Sequence, residues 1–212
     1  MGGKKAFVIL ALALLSWGAV WASSRPAQVL AVPGRRQRVI LAAGEVWLQR
    51  GRVRRSLRLA RYHPWKIGWA RVAGQRQLAV AVYKRTRFMP QPHNALFLYD
   101  WNDGRITPRW LGSRLSKPFT DFAFADLRGS GETELVSVEK NRDGRVCLMV
   151  YRWTGFGFEG EWQSQPYRRI RGLTVQGPVV AARVRSGTTT RRVRIGWREG
   201  AYGELAEEGE TK

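Results

Sequence analysis

An aromatic pattern that recurs after 52 residues is the feature that most constrains the fold of this chain. Each copy is an apolar run with Tyr and Trp near its end, a short turn containing Gly, and a second segment ending in Trp. Repeats of some tens of residues are typical of solenoids and propellers, in which each repeat buries its apolar face against its neighbours. The matching positions are Tyr99 and Tyr151, Trp101 and Trp153, and Trp110 and Trp162.

A second repeated unit precedes the first one. Residues 124–138 form an apolar segment, a tight turn and another apolar segment, and residues 69–82 match them. A third copy lies at 182–195, a shorter copy lies at 31–41, and a fainter copy of the aromatic unit lies at 46–57. The β-branched content and the Gly turns predict β-hairpins at all of these positions.

Joined together, the two units predict an all-β domain over residues 23–205. Four strands in about 40 to 57 residues are typical of one propeller blade, so we expect a partial or small β-propeller of about four antiparallel, blade-like repeats. We expect the last repeat to be incomplete, because only residues 200–212 remain after its second strand, and of these residues 206–212 are expected to be an acidic, disordered tail. The predicted repeats are 27–62, 63–116, 117–166 and 167–205.

Residues 122–136 carry a more specific signal. They read Phe-Ala-Phe-Ala-Asp-Leu-Arg-Gly-Ser-Gly-Glu-Thr-Glu-Leu-Val, and Tyr-Arg-Trp-Thr-Gly-Phe-Gly-Phe follows at 151–158. This stretch resembles the FG-GAP/VCBS repeat of integrin-α-like β-propellers, and the resemblance is weaker over 63–112. It implies a propeller in which the first turn of each repeat is an acidic loop that often binds calcium.

The loop of this chain departs from that acidic pattern. Calcium takes roughly six to eight oxygen ligands, several of them carboxylates. Asp126 matches the first acidic position, but Arg128 and Ser130 stand where the next two acids would be. Glu132 and Glu134 are the other carboxylates nearby. Because a guanidinium repels a cation, we expect a degenerate loop without metal, and we expect no cofactor in the chain.

The first 22 residues are typical of a secretory signal peptide. Lys4 and Lys5 precede an apolar stretch over 6–20, and small residues precede a cleavage point after Ala22. The alternative is an uncleaved membrane anchor through residues 6–22. Both interpretations predict that the remaining chain is secreted or otherwise extracytoplasmic, at the cell envelope.

The exported part is expected to be strongly basic. Lys and Arg number 37 against 16 Asp and Glu, for a net charge of +21, and removing the leader takes away Lys4 and Lys5, leaving 21 − 2 = +19. Such a field attracts polyanions. Since export separates the protein from nucleic acid, the expected partners are an anionic envelope polymer, an acidic lipid or another protein.

The sequence offers few groups for catalysis. Cys147 is the single cysteine and lies in an apolar run, so we expect it to be buried. His63 and His93 lack a second metal ligand at the usual spacing, and no common nucleophile, metalloprotease or phosphate-loop motif is present. We therefore expect a non-enzymatic binding or scaffolding module. The alternative is a polysaccharide-acting enzyme whose carboxylate pair is brought together by the fold.

Residues 84–94 are the best candidate for ligand contact. The segment is basic, it contains an aromatic residue, and its composition predicts the longest loop between strands. A structural role is also open, in which a second chain completes the ring and the protein acts as a homo-oligomer. The candidate contact residues are Lys84, Arg85, Arg87, Phe88 and His93.

Overall fold

The chain folds into β-sheets. The computed structural model describes residues 26–86, 89–112 and 115–205. Within these ranges it contains sixteen β-strands and one three-residue 3-10 helix, Ala60–Tyr62. The strands form four antiparallel sheets of four strands each. The prediction of an all-β domain built from four-stranded antiparallel units is confirmed.

In every sheet the strands follow one another in chain order, and each pairs with the next. Sheet 1 contains β1 (Gln28–Ala31), β2 (Gln37–Ala42), β3 (Glu45–Arg50) and β4 (Val53–Ser56). Sheet 2 contains β5 (Pro64–Val72), β6 (Gln75–Thr86), β7 (Met89–Asn102) and β8 (Arg105–Leu111). Sheet 3 contains β9 (Phe119–Ala125), β10 (Glu134–Lys140), β11 (Val146–Trp153) and β12 (Phe158–Gln163). Sheet 4 contains β13 (Arg169–Gln176), β14 (Val179–Ser186), β15 (Thr189–Arg198) and β16 (Ala201–Leu205).

Two-residue turns explain why consecutive strands pair. Between β2 and β3, Ala43 and Gly44 both have positive φ, at 49° and 73°. Asp103 and Gly104 repeat this between β7 and β8, at 46° and 88°. Two successive positive φ angles are the turn geometry whose twist matches that of the flanking strands. These turns therefore fix the register of their hairpins.

Neighbouring sheets pack face to face through three hydrophobic clusters. The first joins sheets 1 and 2, with Val39 and Leu48 on one side and Val80 and Phe97 on the other. The second joins sheets 2 and 3, and the third joins sheets 3 and 4. Among the described residues no such cluster joins sheet 4 to sheet 1. The stack is therefore open, and each end presents one sheet face that no other sheet covers.

The aromatic residues that repeat after 52 positions serve this packing. The Trp110 and Trp153 rings lie edge to face, with centroids 6.1 Å apart. Phe158 contacts both rings, at 5.3 Å and 5.2 Å. Such edge-to-face pairs add to the burial of apolar area. These three residues border the second cluster, between sheets 2 and 3.

The prediction that the last repeat is incomplete is wrong. Sheet 4 has all four strands. The sequence match pairs residues 182–195 with the first hairpin of the other repeats, whereas the structure places them in β14 and β15, after β13. Because every strand alternates inward and outward side chains with the same period, a hairpin match can shift by one strand without losing its pattern.

Some of the sequence-based expectations concern residues outside the described ranges. These are the leader, residues 1–22, the tail, residues 206–212, and the contact residues Arg87 and Phe88. Over the part of the chain that is described, no helix has the length and apolar character needed to cross a membrane.

Candidate functional site

Three strands of sheet 4 carry arginine at every second position. β13 begins Arg-Ile-Arg, and both β14 and β15 contain Arg-Val-Arg. Side chains alternate between the two faces of a strand, so both arginines of each segment share one face. The central Ile or Val packs on the opposite face, in the cluster shared with sheet 3. The residues of this arginine face are Arg169, Arg171, Arg183, Arg185, Arg192 and Arg194.

The strand register places these arginines side by side. Arg171, Arg183 and Arg192 are direct partners across β13, β14 and β15. Arg169 and Arg185 are direct partners in the neighbouring row. Directly opposed side chains start about 5 Å apart, and the next row on the same face lies about 7 Å along the strands. The arginine face is therefore a compact grid of guanidinium groups at the open end of the stack.

The described part of sheet 4 contains few acids beside this grid. That part contains two acids, Glu199 in the turn after β15 and Glu204 on the opposite face, where it accepts a hydrogen bond from Arg191 at 2.8 Å. Like charges directly opposite each other destabilise a sheet. A local arrangement that costs stability without an evident structural gain is typical of a functional surface.

The nearby hydrogen bonds orient the guanidinium groups and leave their charge intact. Arg192 Nη2 donates to Gln176 Oε1 at 2.7 Å, and Arg185 Nε donates to the Gly187 carbonyl at 3.1 Å. Both acceptors are uncharged, so the positive potential above the face persists. Val179 and Ala181 lie between the arginines on the same face and are buried. Leu205, the ladder partner of Arg194 at the edge of this face, is half-buried, so the face is basic and carries no exposed large apolar side chain among its described residues.

The sequence analysis counted these arginines in the net charge but did not assemble them into a site. The signal that would have found them is the Arg-x-Arg alternation in three successive segments of a β-repeat. A net charge alone does not show which strands carry the arginines.

The segment predicted to be a long contact loop is a hairpin instead. β6 extends to Thr86 and β7 begins at Met89, and Lys84 faces His93 in the ladder. Pro90 within this segment favours a loop interpretation. A register shift between Lys84 and Thr86 lets the strands pair despite it, since proline is tolerated at such irregularities.

The side chains of that hairpin are only partly available to a ligand. Lys84 Nζ lies 4.4 Å from the centroid of the Phe97 ring, and burial lowers the pKa of Lys84. His93 is half-buried, with Nδ1 3.1 Å from the carbonyl oxygen of Gln91. Among the candidate contact residues that the structure describes, Arg85 alone is exposed. The hairpin offers a weaker concentration of charge than the arginine face.

The loop that resembles a calcium site is held together by protein hydrogen bonds. Asp126 Oδ1 accepts from the Ser130 N–H at 2.8 Å, and Oδ2 accepts from the Gly131 N–H at 2.7 Å. Glu132 Oε1 accepts from the Gly74 N–H of sheet 2 at 2.7 Å. These carboxylate oxygens satisfy backbone donors and connect two sheets.

Glu134, the last acid of the loop, joins sheet 3 to sheet 4. Its side chain is buried, and Oε2 accepts from the Leu127 N–H at 2.9 Å. Oε1 accepts from Arg128 Nε at 2.9 Å and from the Tyr202 hydroxyl at 3.1 Å. Burial, reinforced by the nearby Glu134 charge, raises the pKa of Tyr202 to about 12, so the hydroxyl remains a donor at ordinary pH.

We expect calcium to leave the stability of this protein unchanged. Within the described ranges no group of three or more His, Cys, Asp and Glu is placed to hold a metal ion. A cation bound to the folded state alone would raise the melting temperature through mass action. The melting temperature should therefore be the same in EDTA and in millimolar calcium. A rise with calcium that is lost in an Asp126→Asn variant would contradict this expectation.

A second buried carboxylate, that of Glu139, also accepts its hydrogen bonds from the protein itself. Glu139 accepts hydrogen bonds from the Ser137 and Tyr151 hydroxyls, both at 2.7 Å, and from the Lys117 N–H at 2.8 Å. The prediction that Cys147 is buried is confirmed, and this burial raises the pKa of its thiol. A buried thiol with a raised pKa is a poor nucleophile. Neither group is poised for chemistry on a substrate.

Neither a protein-family model nor a curated protein matches this chain. The FG-GAP/VCBS resemblance therefore rests on the residues quoted above.

Proposed function

We propose that this protein is an exported, non-enzymatic β-propeller-type binding module of the cell envelope, and that it binds a linear anionic polymer on the arginine face. The observation that carries the proposal is the row of Arg171, Arg183 and Arg192, aligned across three strands without a described carboxylate among them. The rest of the site supports binding over catalysis, because the buried carboxylates Glu134 and Glu139 are already occupied by protein donors.

An open arc of propeller blades is the arrangement that we infer from the four sheets. They follow one another in chain order and pack face to face, as propeller blades do. The FG-GAP/VCBS resemblance of residues 122–136 supports the same fold. The outer face of sheet 4 is charged, whereas the faces that pack between neighbouring sheets bury Val, Leu, Phe and Tyr.

Completion of the ring by a second copy is less favourable. It would place the arginine face against the outer face of sheet 1. There Arg38 and Arg54 lie on the side opposite the first hydrophobic cluster. Removing like charges from water together costs several kcal/mol. This cost would offset much of the free energy with which the two copies bind.

A polymer suits the arginine face better than a membrane does. Surfaces that enter the lipid interface present large apolar or aromatic side chains beside their basic residues. The apolar residues between these arginines are Val179 and Ala181, both buried. Rows of guanidinium groups about 5 to 7 Å apart match a chain that carries one phosphate or carboxylate at each of its short repeats. Each planar guanidinium can bind such a group in bidentate fashion.

Retention on charged and uncharged polymers tests this proposal. We expect the protein to bind immobilised inorganic polyphosphate and poly-L-glutamate, and to pass through a neutral dextran. Binding should weaken steeply from about 50 to 500 mM salt, because each neutralised anion releases a counterion. Acidic phospholipid vesicles provide the lipid arm of the test. Stronger retention on those vesicles than on either polymer would reject the polymer in favour of a membrane.

Export is tested separately, by the N-terminus of the mature protein. We expect cleavage after Ala22, because charged, apolar and small-residue segments follow one another in the order that signal peptidase recognises. Mass spectrometry of protein recovered from outside the cytoplasm should show a chain beginning at Ser23. A membrane-bound product that still begins at Met1 would indicate an anchor instead.

A further inference from the structure

Among the described residues, the outer face of sheet 1 is covered by no other sheet, and its centre is apolar. Val29, Ile40 and Trp47 are ladder partners across β1, β2 and β3 and form the central row of this face. They alternate with residues such as Val39 and Leu48, which pack in the first cluster, so the central row points away from sheet 2. Val29 is 53% exposed and Trp47 is half-buried. Contiguous apolar side chains rimmed by polar ones mark a surface that contacts a partner.

Charges of opposite sign flank the central row on its two sides. On one side, about 7 Å along the strands, Arg38 and Arg54 lie on either side of Gln49. On the other side, Glu45 on β3 accepts a hydrogen bond from the Ser56 hydroxyl at 2.8 Å, which holds its carboxylate on this face. Within the described ranges, none of these three charged side chains forms an ion pair. The face therefore has a basic edge and an acidic edge.

This pattern is complementary to itself. Two identical faces can pack about a two-fold axis that lies in the interface and runs across the strands. Each strand then lies over its own copy in the opposite direction, so the central rows meet and each basic edge covers the acidic edge of the other copy. Because β3 lies about 4.8 Å from both β2 and β4, Glu45 of one copy lies between Arg38 and Arg54 of the other. A two-fold axis along the strands would instead oppose arginine with arginine.

We propose that the outer face of sheet 1 binds a second copy of this chain in this two-fold arrangement. The central rows provide the apolar contact, and Glu45 of each copy pairs with Arg38 and Arg54 of the other. The strands of this face have four to six residues, a small area by the standard of stable complexes, so the dimer is reversible. A dimer presents two arginine faces and can hold two polymer segments. This consequence rests on the proposed function, whereas dimerisation does not.

Sedimentation velocity of the mature protein tests the association. We expect the mass to rise from that of a monomer to that of a dimer between about 1 and 200 µM, the range of a small interface. Trp47→Ser removes the largest apolar side chain of the central row and should weaken association about 10-fold. Phe156→Ser removes a side chain that is 85% exposed in the turn between β11 and β12, and it should leave association unchanged. A parent that stays monomeric at the highest concentration would overturn the proposal and leave the face to a different partner.

Charge reversal tests the two-fold arrangement itself. Replacing both Arg38 and Arg54 by Glu lowers the net positive charge, which would favour association if overall repulsion decided it. We expect this variant to be monomeric instead, because Glu45 then meets carboxylates. Glu45→Arg should also be monomeric, since it meets two arginines. The two variants mixed in equal amounts should associate about as tightly as the parent, because each contact then pairs Arg with Glu.

The mixing experiment decides between this dimer and other modes of association. Dimers of either reversed variant alone, or no association on mixing, would reject the proposed pairing even if the parent associates. Retention on inorganic polyphosphate, measured on the same proteins, separates this inference from the proposed function. A dimer that does not bind polyphosphate would retain the inference and reject the polymer function. A monomer that binds polyphosphate would retain the function and reject the dimer.

Discussion

Replacing Arg171, Arg183 and Arg192 together by Gln should reduce affinity for inorganic polyphosphate about 100-fold at 100 mM salt. These three residues form the aligned row across β13, β14 and β15. Each guanidinium that binds a phosphate contributes a salt-dependent term through counterion release. The slope of log affinity against log salt should therefore fall by about two to three in magnitude. Fluorescence titration at five salt concentrations measures both quantities.

The same substitution should not harm folding. It removes like-charged neighbours, so the melting temperature should stay equal or rise slightly. This direction excludes loss of structure as the cause of weaker binding. A fall of the melting temperature by many degrees would instead show that the row is structural.

Two control variants make the result specific. Gln at Arg52, Arg105 and Arg109 removes the same charge from exposed positions of sheets 1 and 2. It should reduce affinity only several-fold through the long-range field. Ser at Lys84, Arg85 and Arg87 tests the segment that the sequence favoured. If this last variant loses as much affinity as the arginine-row variant, the contact surface includes the β6–β7 hairpin.

The repeat architecture could be predicted because the strand pattern is local. Apolar alternation and Gly turns mark each hairpin, and the 52-residue offset of Tyr99, Trp101 and Trp110 from their partners marks whole repeats. Each sheet is built from consecutive strands, so no long-range pairing had to be inferred. The fourth repeat was misjudged because the hairpins of this chain share one period, and a match can slip by a strand.

The arginine face could not be predicted from the same information. That Arg171, Arg183 and Arg192 form one row depends on the register of two separate strand pairs. A shift of one residue in either pair would move an arginine to the opposite face. The prediction of a contact loop at residues 84–94 was wrong for a related reason. The composition of this segment is that of a loop, but pairing between β6 and β7 makes it a hairpin. Charge composition predicts attraction to polyanions, but the register decides where they bind.

Replacing Glu134 by Ala should produce the largest loss of stability among single substitutions in the loop that resembles a calcium site. The buried carboxylate accepts from the Leu127 N–H, Arg128 Nε and the Tyr202 hydroxyl. Alanine leaves a buried N–H, a buried hydroxyl and a guanidinium without their acceptor. Because the Arg128 side chain is 32% exposed and water can solvate it, the loss costs about 3 kcal/mol, the lower end of the range for a fully buried pair. For a domain of this size, that lowers the melting temperature by about 10 °C.

A matched comparison separates a structural carboxylate from a metal ligand. Glu132→Ala removes an acid two residues away whose carboxylate accepts one exposed hydrogen bond, from the Gly74 N–H. It should cost no more than about 1 kcal/mol. If Glu134 served a cation, both variants would lose stability mainly when calcium is present. Because Glu134 instead links the sheets through protein donors, its loss should be the same in EDTA and in calcium. A Glu134→Ala protein that melts within 2 °C of the parent, roughly the effect of 1 kcal/mol or less, would show that this link between sheets 3 and 4 carries little of the fold's stability.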